Sequence, residues 1–342
     1  MKIRPLLWGI HAGAVGASVW VALQFWWDMD LFPQAAFPAS TFVNRNFFAE
    51  YAVSVLPLSV YLLLHVRRLP WLGPMAASVA LVVVAIMMTG TRSALVALWL
   101  LLAVLAVVGM RYRHHIPWHR WSTRQRAMVA AVLAAGIVGL GLVPSTTPRV
   151  VAEGTGTTAL ARSVLRTTSL ARASEYTEGS FSIRADMWKS TARMLLAHPL
   201  SGVGAGAWEV QIPLYQRADT MIETDYYAHN EYLQLLSEYG LLVGGLFLAI
   251  LVAYWLVSAG STWLMRDTQP DGAPLRAFTL ASLLALLIVS NAGFPWHLAS
   301  TGALLVLCLA IVGRTDDELG RTDAFLAGGN AQRLGGHHED ET

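Results

Sequence analysis

Residues 74–110 read PMAASVALVVVAIMMTGTRSALVALWLLLAVLAVVGM. As one straight helix this stretch would reach about 55 Å at 1.5 Å per residue, well beyond a hydrocarbon core of roughly 30 Å. It has to turn back on itself, and Thr89-Gly90-Thr91-Arg92-Ser93 is where it does so. Two apolar helices joined by a short turn with an arginine at its tip form a membrane hairpin, and that reading fixes the class of the whole chain.

Working outward from the hairpin, apolar runs fall near residues 6–27, 46–65, 73–89, 93–110, 127–143, 241–258, 276–291 and 297–313. Composition agrees: 55% of residues are hydrophobic, 13% are charged, and mean hydropathy is +0.49. The expected fold is an all-α membrane protein with about eight transmembrane helices and one large, partly helical periplasmic loop. A formal charge of +2 gives no basis for a nucleic-acid partner, so the arginines matter for where they sit. The single cysteine, Cys308, lies inside an apolar run and reads as an inert core thiol. Lys2 and Arg4 precede the apolar stretch Pro5–Trp27, which is too long for a signal peptide and lacks a small-residue cleavage site. It reads as a retained first span with its N-terminus inside.

Alternate connections carry Arg67 and Arg68, then Arg111, Arg113, Arg120, Arg124 and Arg126, then Arg266 and Arg276, then Arg314. By the positive-inside rule that side is cytoplasmic and holds both termini. The opposite short connections hold Asp28, Asp30, Asn291 and His297, with two arginines, Arg45 and Arg92, that run against the bias. The chain divides into N-terminal membrane helices (1–143), a periplasmic loop carrying the candidate site (144–240), C-terminal membrane helices (241–313) and a polar, disordered cytoplasmic tail (314–342). The loop reads as irregular or weakly helical through Gly179. Beyond it, Ile183, Met187, Trp188, Ala192, Leu195 and Leu196 predict an amphipathic helix ended by Pro199 and a glycine turn at Gly202, Gly204 and Gly206. A second helix is predicted over 231–239, with Asn230 as N-cap and Gly240 as its stop.

The sequence has no Gly-Lys-Ser/Thr nucleotide loop, no serine nucleophile elbow and no paired histidines at zinc spacing. Attention narrows to Arg45, Arg92, Arg184 and His229. A guanidinium suits a diphosphate because its planar fork gives bidentate charge-assisted hydrogen bonds and stays ionised. Each residue also has a plainer reading: Arg45 and Arg92 as snorkelling residues, Arg184 as a solvated helix face, His229 as a satisfied loop histidine. The glycine run at 202–206 follows no strand, so a turn fits it better than a phosphate loop. The basic, aromatic segment 111–126, with His114, His115 and His119, can bind metal or anionic lipid, but it lies where cytoplasmic charge belongs.

Four strings then resemble, in wording and order, the O-antigen ligase and polymerase family: Phe42-Val43-Asn44-Arg45-Asn46-Phe47-Phe48-Ala49; Thr89-Gly90-Thr91-Arg92-Ser93-Ala94; Ser182-Ile183-Arg184 through Trp188 to His198-Pro199-Leu200-Ser201-Gly202; and His229-Asn230-Glu231-Tyr232-Leu233-Gln234 with Glu238 and Gly240. The resemblance covers about residues 40–260. It implies transfer of a glycan from an undecaprenyl diphosphate carrier to a hydroxyl on lipid A core, a growing polysaccharide or a protein, with no nucleotide, cofactor or metal. Arg92 and Arg184 would hold the diphosphate, Arg45 would assist at the membrane edge, and His229 would serve the acceptor hydroxyl. Asn44, Asn46, Asn230, Glu231 and Glu238 would support them. The implied setting is the bacterial inner membrane, multi-pass, with membrane lipid around it and the site facing the periplasm. A diphosphate already leaves well, so such a site needs cations more than a general acid, whereas a sugar hydroxyl needs a base. Single displacement would invert the anomeric centre. Family members carry several more spans ahead of the Asn-Arg-Asn element, where this chain has one, which leaves room for a further membrane subunit.

Two other classes compete. A lipid-linked sugar transporter or flippase would also want arginines, but with polar groups or helix breaks deep in the spans, which are nearly free of charge here. A non-catalytic subunit of a polysaccharide assembly complex would neither transfer nor move the glycan.

Overall fold

The computed structural model describes residues 3–174, 180–217, 227–264 and 272–314; the predicted disordered tail beyond Arg314, like Arg266, lies outside them. The chain runs through α1 (Ile3–Trp27), α2 (Arg45–Leu64), α3 (Leu69–Thr89), α4 (Arg92–Arg111) and α5 (Thr123–Leu142). It continues through α6 (Pro148–Ala152), α7 (Ala159–Ser169), α8 (Ser180–Ala197), α9 (Trp208–Gln211) and α10 (Glu231–Tyr239), and returns through α11 (Leu246–Leu264), α12 (Ala273–Val289) and α13 (Ala299–Gly313). The protein is an all-α membrane protein: among the described residues six helices are long and apolar enough to cross a bilayer, counting Glu231–Leu264 as one, and α12 and α13 are shorter apolar helices. These eight coincide with the eight apolar runs of the sequence.

α2, α3 and α12 make the centre of the bundle, with α1, α4, α5, α11 and α13 around them. Small residues let the helices approach: a Cβ on Gly136 of α5 would collide with Ala80 of α3. Some of the polar groups inside are paired from helix to helix. His11 of α1 sits between the hydroxyls of Ser59 on α2 (2.9 Å) and Ser78 on α3 (3.0 Å). With no water in the hydrocarbon to satisfy it, such an imidazole ties three helices together.

At one end of the bundle the described parts of the 144–240 segment fold against the helix tips. Its first part is more regular than predicted. Thr158 caps α7 by accepting from the Ala161 amide (3.1 Å), and α7 packs on α3, α4 and α5. Its composition of Ser, Thr, Ala and Arg hides a helix because the buried face is itself polar: Arg162 and Ser163 are fully buried. α8 and α10 form where the sequence places them. Met187 and Met194 of α8 build a second small core with Trp208, Ile212 and Ala228. The span Glu231–Leu264 is 34 residues long but is not one straight helix, because Gly240 leaves helical backbone at φ +69°. A π-helical turn at Gly240–Gly245 separates α10 from the apolar α11.

Between α8 and α10 the glycine turn acts as a lock. The amides of Val203 and Gly204 donate to the carbonyls of Ser237 (3.0 Å) and Glu238 (2.9 Å), and Leu241 N–H donates to Pro199 O (2.7 Å). Gly202 and Gly240 sit at φ +67° and +69°, and a Cβ on either would run into the carbonyl of Glu238 or Leu200. Both conditions require glycine.

Candidate functional site

The loop before α2 sets its first residues. Asn44 caps the helix by accepting from the Asn46 amide (2.9 Å), while Arg45 N–H donates to Ala36 O (3.0 Å). Asn46 in turn accepts from the Thr91 hydroxyl (3.0 Å), joining the start of α2 to the α3–α4 turn. That turn closes with Gly90 at φ +64°, which no L side chain adopts easily, and Arg92 follows as the first residue of α4. Two helix N-termini, with their positive dipole ends, thus open toward the same place.

That place is a cavity of about 470 Å³ whose wall includes Arg45, Asn46, Arg92, Arg166, Arg184 and Asn291. The structure brings the three sequence-predicted arginines together and adds a fourth, Arg166 of α7. Arg92 Nε donates to the Ser169 hydroxyl (3.1 Å). Arg45 donates to Phe37 O (3.2 Å) and pairs with Glu153 (2.6 Å). The Glu153 carboxylate also holds Arg162 (2.5 Å) and Arg166 (3.2 Å). Burial alone would raise the Glu153 carboxyl, but the charges of Arg162, Arg45 and Arg166 outweigh it and hold it below its ordinary range. Burial draws the Arg162 guanidinium down to about 10, with Glu153 partly offsetting the loss. One turn below Asn46 on α2, Glu50 is buried against Gly293, and Arg184 and Glu231 are the charges that act on it.

His229 is not part of that wall. It stands beside it, across the 290–298 connection between α12 and α13. Its ring lies 5.1 Å from that of Phe294, which packs at 5.1 Å on Phe47, the neighbour of cavity-lining Asn46. Asn230 Nδ2 donates to Asn291 O (3.2 Å), so the histidine's neighbour touches the wall directly. The backbone of His229 is left-handed, at φ +50°. A non-glycine residue persists there only when its surroundings impose it. On one side Ala228 donates to Gln234 Oε1 (2.7 Å) and accepts from Trp188 Nε1 (2.9 Å). On the other Asn230 caps α10, accepting from the amides of Tyr232 and Leu233 (both 3.1 Å).

The two supporting glutamates are buried and structural in their contacts. Glu231 accepts from Trp296 N–H (2.5 Å) and pairs with His297 Nδ1 (3.0 Å); Glu238 accepts from Gln234 (2.6 Å). Among the described residues, no three His, Cys, Asp or Glu side chains come together as a metal site. Sequence reasoning missed Arg166, Arg162 and Glu153, whose signal was the four-residue spacing of two arginines in an otherwise uncharged helix. It left Asn291 and His297 as mere loop residues.

A family model described as O-antigen ligase matches residues 77–249, half of the chain. No curated protein matches.

Proposed function

Since the chain belongs to the O-antigen ligase family, whose members transfer glycan in lipopolysaccharide and polysaccharide assembly at the bacterial membrane, we propose that it draws that glycan from an undecaprenyl diphosphate carrier held in the four-arginine cavity. The acceptor is a hydroxyl of lipid A core or of a growing polysaccharide, and the site faces the periplasm at the inner membrane. The observation that carries this reading is the convergence of Arg45, Arg92, Arg166 and Arg184 on one cavity at the membrane edge. A concentration of guanidiniums at two helix N-termini is a trap for a multiply charged anion.

In the transfer, the acceptor oxygen attacks the anomeric carbon as the bond to the carrier phosphate breaks. The electron pair leaves with the diphosphate, where the arginines stabilise it, and the hydroxyl proton passes to the His229 imidazole. A single displacement inverts the anomeric centre. Neither nucleotide nor metal enters these steps.

The test pairs two measurements in one membrane preparation, donor binding and glycan transfer. His229→Ala is expected to keep donor binding and lose transfer by about 100- to 10,000-fold, the usual worth of a general base. Arg92→Lys and Arg184→Lys are expected to lose roughly ten- to a hundred-fold despite keeping charge, because a point charge cannot replace the bidentate fork. Fully active lysine variants would end the diphosphate assignment; retained transfer in His229→Ala would end the base assignment.

A further inference from the structure

The arginine cavity already has an anion of the protein's own beside it. Glu153 Oε1 takes Arg45, and Oε2 takes both Arg162 and Arg166. Arg45 and Arg166 line the cavity, while Arg162, fully buried, lies behind the wall at Gly90, where a Cβ would strike its side chain. One carboxylate therefore serves three guanidiniums, and it cannot satisfy them. Arg162 Nε and Nη1 and Arg166 Nε are buried with no hydrogen-bond partner. Buried unsatisfied charged donors are costly, and like charges held this close repel. The cluster is built for more negative charge than it has.

We propose that Glu153 is the resident counter-anion of the donor pocket: it holds Arg45 and Arg166 in place while the pocket is empty and competes with the diphosphate for them when it is filled. The proposal rests on the reading that the cavity takes a diphosphate. Its consequence is a limit on affinity. Every N–H committed to Glu153 is withheld from the ligand, and the carboxylate, beside the cavity, repels phosphates held there. The same repulsion helps the diphosphate product depart after transfer. Glu153 thus stabilises the empty protein and weakens the filled one, which is opposite to what a plain structural salt bridge does.

That opposition makes the test. The full chain, purified in detergent, is titrated with inorganic pyrophosphate, and both binding and thermal unfolding are followed. Glu153→Gln keeps the shape and one acceptor oxygen but removes the charge. Empty, it is expected to unfold at a lower temperature than the wild type. Pyrophosphate should bind it about tenfold more tightly and raise its unfolding temperature by more. Should the Gln variant not fold when empty, Glu153→Asp keeps the charge but retracts it by one methylene, and tighter binding than wild type is expected there too. Equal or weaker pyrophosphate binding in these variants would overturn the role of Glu153 and leave the diphosphate reading standing. A wild type that binds no pyrophosphate, or binds it as well after Arg92→Lys, would instead overturn that reading and the role with it.

Discussion

Glu231 shows how much of a site can hang on one side chain. It is 1% exposed, its own amide donates to Ser290 O (2.9 Å), and its two oxygens take Trp296 N–H and His297 Nδ1. The 290–298 connection is thereby fixed to α10, with Phe294 under the His229 ring and Asn291 in the cavity wall. The hydrogen bond to Glu231 raises the His297 imidazole above its ordinary value of 6.5, against the pull of burial. A raised folded-state value means that the pair's contribution is whole below 6.5 and is lost as pH climbs through the folded value. We therefore expect the wild type to lose unfolding temperature as pH rises above 6.5 more steeply than His297→Gln, whose amide can still donate to Glu231 without titrating. Parallel pH profiles would remove the charged pair. Arg45, Arg92 and Arg184 were legible in the sequence because an arginine at the tip of an apolar hairpin, or in a family string, calls for a partner. Glu153, Arg166 and His297 were not, since each looks like ordinary loop charge until the fold shows what it touches.

At the scale of elements, the distance between the arginine helix and the histidine helix is set by a backbone clamp together with the Met187, Met194 and Ala228 core and the Trp188 hydrogen bond to Ala228. α8 carries Arg184 and α10 follows His229, and the 199–206 turn joins their ends through hydrogen bonds to 237–242. Glycines that read as a turn in the sequence are a clamp in the fold, and no periodicity could reveal the partner carbonyls at the end of α10. Gly202→Ala places a methyl against the Glu238 carbonyl in a left-handed backbone, so it is expected to cost about 1 kcal/mol or more. Its informative effect is on the site: donor binding and transfer should both fall, because the clamp holds α8, which gives Phe181 and Arg184 to the cavity wall, in register with His229. A Gly202→Ala protein that is destabilised but transfers at the wild-type rate would show that the clamp only holds the loop together. α7 was the element least visible in the sequence, because helix prediction looks for an apolar stripe and this helix buries an arginine.

For the whole molecule, the eight apolar runs could be read directly, while their arrangement could not, since α2, α3 and α12 at the centre have much the same composition as the helices around them. Order and parity still carry an argument. Five spans precede the 144–240 segment and three follow it, so if every span crosses, that segment lies opposite both termini. The cavity supplies an independent check. Its wall draws Ala36 from the first connection, Gly90 from the hairpin tip, Arg184 from the long segment and Asn291 from the last connection, and alternation puts these four on one face. The basic residues Arg67, Arg68, Arg113 and Arg120 fall in connections of the other face. On the positive-inside rule that other face would be cytoplasmic and the arginine cavity would face the periplasm, as proposed above. Reporter fusions at Thr157 and at Thr123 are expected to give periplasmic and cytoplasmic signals respectively. The reverse pair would turn the cavity toward the cytoplasm, where a periplasmic glycan donor never presents its diphosphate, and the donor and acceptor assigned here would both fall. Matching signals at the two sites would mean that α5 does not cross, and the parity on which the shared face depends would have to be rebuilt from α5 onward.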